Sequence, residues 1–83
     1  MEKICVVRGD TYMARSVMGW LRFNWDAEAK TWYRMIPVDE NGVGDFSYSN
    51  HGKIKEKFFT AAELEQKLRD SVYREIKISV SFE

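Results

Sequence analysis

Four consecutive apolar residues, Ile4-Cys5-Val6-Val7, are followed at once by Arg8, Gly9 and Asp10. A run this short, without polar alternation, predicts a strand over residues 3–8 that lies in the middle of a sheet or is covered on both faces. The rest of an 83-residue chain must then supply neighbours and a cover for that strand. A chain of this length makes one domain, residues 1–83, and buries only a little over half of its unfolded surface. Large side chains therefore matter, and twelve Phe, Trp and Tyr residues provide them.

Downstream signals alternate between the two periodicities. Asp10 or Thr11 can cap a helix from about Tyr12 to Phe23, with Met13, Val17, Trp20 and Leu21 as its buried stripe. Arg15, Gly19 and Arg22 fall on the opposite side. Phe23-Asn24-Trp25 and Thr31-Trp32-Tyr33 flank a polar segment, which predicts a hairpin whose turn is opened by Asp26. Trp32 to Val38 continues as a strand, and Asn41-Gly42 in Asp39-Glu40-Asn41-Gly42 predicts a type I′ turn. Val43 to Asn50 reads as a returning strand and His51 to Lys57 as a polar, basic loop.

Thr60 and Glu63 have the spacing of a capping box, with Phe59 and Leu64 as a hydrophobic staple. The helix they open is expected to reach about Tyr73, with Ala61, Leu64, Leu68 and Val72 inward. Ile76, Ile78, Val80 and Phe82 alternate with Lys77, Ser79 and Ser81 in a closing strand. The order β-α-β-β-(β)-α-β predicts an α+β domain of the ferredoxin-like plan or a variant of it. Its sheet is antiparallel or mixed, with two helices on one face.

Thirteen basic and thirteen acidic residues cancel, which disfavours a basic nucleic-acid coat and an acidic DNA mimic. Cys5 has no partner in the chain, so it reads as a small buried hydrophobe in a reducing compartment. The first apolar run is too short for a signal h-region or a membrane span. These features predict a cytoplasmic protein with no membrane association, and they leave the oligomeric state open.

One histidine and one cysteine cannot close a zinc site, and no phosphate-cradling glycine motif occurs. Asp45, Ser47, Ser49 and His51 carry catalytic residue types, but side chains lined up along a strand point in parallel and do not converge. The sequence thus predicts no enzyme, no cofactor and no metal. Lys53, Lys55 and Lys57 read as groups that keep a strand edge soluble. An RNA-recognition reading of the plan lacks its aromatic signature, because Trp32-Tyr33-Arg34-Met35-Ile36 does not match it and the first strand has no aromatic residue.

Two groups of residues are candidates for binding. Trp20, Phe23, Trp25, Trp32 and Tyr33 are either core or, for one or two rings, an exposed stacking surface. Arg15 and Arg22 lie two helical turns apart, and Arg8, Lys30 and Arg34 can join them. Residues 1–36 carry six basic and four acidic side chains, a local excess of two.

Gly9-Asp10-Thr11-Tyr12 and Leu21-Arg22-Phe23-Asn24-Trp25-Asp26-Ala27-Glu28-Ala29-Lys30-Thr31-Trp32-Tyr33 also carry a family likeness. This stretch resembles a small module attached to plasmid-type primases and to phage or bacterial helicases. In that module a strand and helix precede an aromatic-Asp, three-residue, Lys-x-Trp hairpin, and the HARP domain of annealing helicases has a similar one. Trp25, Asp26, Lys30 and Trp32 match the hairpin, and Gly9, Thr11 and Tyr12 match the approach to the helix. The likeness covers residues 9–33, and the usual Leu-Gly before the hairpin is replaced by Leu21-Arg22-Phe23.

The resemblance implies a DNA-associated or adaptor role. The expected function is that of a small non-catalytic, nucleic-acid-associated module that contacts DNA or a DNA-processing protein. Its binding residues would be Arg8, Arg15, Arg22, Trp25, Lys30, Trp32 and Arg34. The alternative is a phage or mobile-element regulator that binds and inhibits a host protein.

Overall fold

A computed structural model describes residues Met1–Glu83. The first strand, β1 (Glu2–Gly9), runs through the middle of a four-stranded sheet. Its neighbours are β3 (Thr31–Pro37) on one side and β8 (Ile78–Phe82) on the other, both antiparallel, while β2 (Asn24–Asp26) pairs outside β3. The order β2-β3-β1-β8 is that of the split β-α-β plan. Cys5 and Val7 point to one face and are fully buried, while Val6 is covered on the other. This explains why the run has no polar alternation.

Both helices close over the Cys5–Val7 face. Leu64 and Leu68 of α2 (Ala61–Asp70) and Met18 of α1 (Arg15–Trp20) join Ile36, Phe46 and Ile78 in one core. Phe46 is its hub, with its ring 5.9 Å from Phe23, 5.9 Å from Phe59 and 6.1 Å from Phe82. The Thr60–Glu63 capping box forms as expected: Thr60 Oγ1 accepts from the Glu63 N–H at 3.1 Å, and Glu63 Oε1 accepts from the Thr60 N–H at 2.9 Å.

The first helix departs from expectation. It opens with a 3-10 turn at Tyr12–Ala14 and ends at Trp20, well short of Phe23. A 3-10 turn holds three residues rather than 3.6, so it shifts the phase of the buried stripe. Ala14, Met18 and Leu21 face the sheet, while Met13 and Trp20 are exposed. Arg22 lies beyond the helix in the left-handed region, at φ 61°.

The middle of the chain also folds differently. Asp39 Oδ1 accepts from the Asn41 and Val43 N–H groups, and Gly42 alone has a positive φ there. The result is a three-residue loop with glycine in the bulge position, not a type I′ turn. That turn type occurs one hairpin later, at His51-Gly52, where φ is 53° and 78°. It joins β5 (Tyr48–Asn50) to β6 (Lys53–Lys55), so the expected basic loop is half of a hairpin.

The expected strand from Val43 to Asn50 is broken at Phe46. Asp45 Oδ1 accepts the Ser47 N–H at 2.9 Å, and this bend turns the Phe46 ring into the core. Before the break, β4 (Gly44–Asp45) pairs with β7 (Phe58–Phe59). The second helix ends at Asp70, and Ile76 is buried just ahead of the last strand. No helix is long and apolar enough to cross a membrane.

Candidate functional site

The end of β1, the 3-10 turn and the β2–β3 hairpin surround a cleft of about 480 Å³. Gly9, Asp10, Thr11, Tyr12 and Arg15 form one wall, and Trp25, Lys30 and Trp32 form the other. The cleft exists because Gly9 sits at φ 104° with its α-carbon against the Lys77 carbonyl. Any side chain there would collide with backbone. The chain can therefore leave the sheet sharply and bring Thr11 over β3.

One hydrogen bond pins the two walls together. Trp32 Nε1 donates to the buried Thr11 Oγ1 at 3.0 Å. Trp25 is directly opposite Trp32 in the β2–β3 ladder, and their rings lie 5.2 Å apart at 55°. Cross-strand aromatic pairs of this kind stabilise a hairpin. Trp25 nevertheless remains 49% exposed and Tyr12 70% exposed.

The Arg15 guanidinium lies 4.0 Å from the centre of the Tyr12 ring and donates to the Tyr12 carbonyl at 2.8 Å. Asp26 Oδ1 accepts from the Glu28 and Ala29 N–H groups, which closes the hairpin turn and leaves Lys30 at φ 55° on the rim. The cleft thus offers two solvent-facing aromatic rings, a third held behind them, and two cations against one carboxylate. A planar, electron-poor or anionic group is what such a lining can stack and hold.

The remaining expected residues go elsewhere. Arg8 lies on the open face of the sheet, where its Nη1 donates to Glu83 Oε2 at 2.7 Å. Arg22 lines a separate depression of about 430 Å³ with Trp20, Tyr48 and Asn50; its guanidinium is 5.1 Å from the Tyr48 ring centre, and its Nη2 donates to the Ser49 carbonyl at 3.2 Å. Arg8 therefore stands apart from Arg15 and Arg22, and Arg22 lines a depression distinct from the cleft.

Arg34 points into the protein. Its guanidinium donates to the carbonyls of Leu21 (2.7 Å), Phe46 (2.9 Å) and Ser47 (2.8 Å). Burial pulls its pKa down, and the nearby Asp45 carboxylate opposes the shift. Both terminal nitrogens donate to backbone carbonyls, so Arg34 acts as a brace.

The aromatic cluster is mostly at the surface. Of its five rings Phe23 alone is buried, whereas Trp20, Trp25 and Tyr33 are exposed. Tyr12 belongs to the cleft although it carried no binding assignment; its only sequence signal was its place beside Gly9 and Thr11 in the family likeness. Tyr48 carried no signal at all, because its role depends on the β5–β6 hairpin. The Asp45–His51 residues do not assemble: Asp45 and Ser47 serve the bend, Ser47 Oγ accepts the Lys57 N–H, and His51 sits in the turn. No three His, Cys, Asp or Glu side chains gather as a metal site.

The chain matches no protein-family model, no curated protein and no solved structure.

Proposed function

We propose that this protein is a non-catalytic nucleic-acid-binding module that accompanies DNA processing, and that the Tyr12–Trp25–Trp32 cleft is its base-stacking site. The observation that carries this reading is the convergence of two exposed aromatic rings with Arg15 and Lys30 across a gap in sequence of more than ten residues. Exposed aromatics cost a small domain core area it can ill spare, and their natural use is stacking on flat ligands. Cations at the rim supply phosphate contacts. Of the seven residues that carry the likeness to primase- and helicase-attached modules, six line this cleft (Gly9, Thr11, Tyr12, Trp25, Lys30 and Trp32), and Asp26 closes the hairpin turn beside it.

A titration of labelled single-stranded DNA, duplex DNA and RNA at roughly 50 and 200 mM salt tests the reading. The cleft by itself should contribute a shallow salt slope of about two released ions, because Arg15 and Lys30 are the cations at its rim. Trp25→Ala should cost about tenfold in affinity and lower the melting temperature by only a few degrees, the share of the cross-strand pair with Trp32. Absence of binding at both salts, or full binding by Trp25→Ala, would sink it.

A protein partner is the second reading, favoured by the open face of the sheet. Met35, Ile4 and Tyr33 are exposed there around the covered Val6. A nuclease-insensitive partner recovered from host lysate and lost in Tyr33→Ser/Met35→Ser would establish this reading, in which the module regulates a host protein.

A further inference from the structure

The solvent side of the 3-10 turn and α1 connects the cleft to the second depression. Tyr12, Arg15, Ser16, Gly19 and Trp20 are exposed along it in succession. A side chain at Gly19 would meet nothing within 4 Å, so the middle of the path is open to close approach. An aromatic ring paired with a guanidinium stands at each end: Tyr12 with Arg15 at 4.0 Å, and Tyr48 with Arg22 at 5.1 Å. Trp20, 70% exposed, extends the second pair. Between Asp10 and Asp26 the sequence contains no acidic residue, although the chain as a whole is neutral.

We infer that single-stranded nucleic acid crosses this face, with one base in the Tyr12–Trp25 cleft and another at Trp20–Tyr48. The inference rests on the cleft reading above and adds a second subsite and a strandedness to it. Eight residues of 3-10 and α-helix separate Tyr12 from Trp20, a rise of about 12–14 Å. An unstacked strand advances about twice the roughly 3.4 Å per nucleotide of a duplex strand. The two aromatic stations are therefore two nucleotide steps apart, and a trinucleotide spans them. Bases held in a duplex cannot reach either station, because their faces are already stacked. Arg15 and Arg22 flank the open Gly19 segment, where the intervening phosphates pass.

The test is a length series of oligo-dT and oligo-rU, one to six nucleotides, titrated into the intact chain at about 50 mM salt. Affinity should climb up to three nucleotides and then level off. Trp20→Ala should weaken the trimer about tenfold yet leave the mononucleotide unaffected, and Trp25→Ala should weaken both. A matched duplex should bind more weakly than the single strand. Unaltered trimer affinity in Trp20→Ala, a plateau already at one nucleotide, or tighter duplex binding would each overturn the second subsite while leaving the cleft in place. Failure of every oligonucleotide to bind, or indifference to Trp25→Ala, would instead remove the cleft reading and this inference with it. The relative affinity of the dT and rU series decides between DNA and RNA as the source of the strand.

Discussion

Arg34 shows how far a residue type can mislead. In sequence it is one more cation beside an aromatic hairpin, and in the structure it ties the end of α1 to the Phe46–Ser47 bend through three carbonyls. Removing it leaves those acceptors without a donor in a half-buried site. Arg34→Ala should destabilise the fold by about 2–4 kcal/mol in urea unfolding. Arg34→Lys should recover only part of that loss, because an ammonium lacks the planar fork that reaches several acceptors at once. A loss under about 0.5 kcal/mol for Arg34→Ala would contradict the brace. Cys5 is the opposite case, since its place in an apolar run was enough to predict burial. The structure excludes it from solvent, and desolvation pushes its thiol up to about 12.

At the scale of elements, the edge strand β8 is protected in a way no local pattern foretells. Lys77, a neighbouring charge in the sequence, stands just ahead of the strand and not within it. Instead α2 covers the free edge: Glu65 Oε1 accepts the Val80 N–H at 3.3 Å, and Arg69 donates to the carbonyls of Ile76 (2.7 Å) and Ile78 (3.2 Å). The two side chains are also paired with each other at 3.3 Å, one helical turn apart. They occupy the groups through which a second sheet would add. Glu65→Ala/Arg69→Ala should therefore self-associate with rising concentration in size-exclusion chromatography with light scattering, relative to the parent chain. Identical elution of the two proteins at all concentrations would refute this role. The helix itself was legible from its capping box and apolar spacing; its use as an edge cover was not, because that depends on residues seven to fifteen positions away, beyond the end of the helix.

For the whole molecule, equal numbers of acids and bases leave little net field, so ionic effects are local. Two carboxylates lie below their ordinary range. Hydrogen bonds from Ser47, hydroxyl first and backbone second, hold Asp45 down, and the hydrogen bond from Arg8 does the same for Glu83. A carboxyl with a depressed folded pKa contributes stability that is complete above its unfolded value and is lost as pH falls through the folded one. The thermal midpoint should hold from neutral pH to about pH 4 and drop below it. Asp45→Asn should flatten that drop, whereas Glu83→Gln should do so only slightly because the pair is exposed and screened. An acid limb of equal steepness in Asp45→Asn would show that the bend is not what the acid breaks.

Local chemistry set the central strand, the Asp26 turn, the capped second helix and the α+β class, since each depends on neighbours within a few residues. Periodicity could not reveal that a 3-10 turn rotates the first helix and sends Trp20 outward, nor that His51-Gly52, not Asn41-Gly42, takes the type I′ turn. The place of Phe46 is equally hidden from local spacing, because its ring meets those of Phe23, Phe59 and Phe82, a contact among four separate segments. The cleft belongs to the same class. Its residues were each visible in the sequence, but only the pairing of β2 with β3 and the Thr11–Trp32 hydrogen bond bring two distant stretches together as its two walls. Side chains meet where the backbone of the whole sheet carries them, and that path is written in long-range packing rather than in spacing.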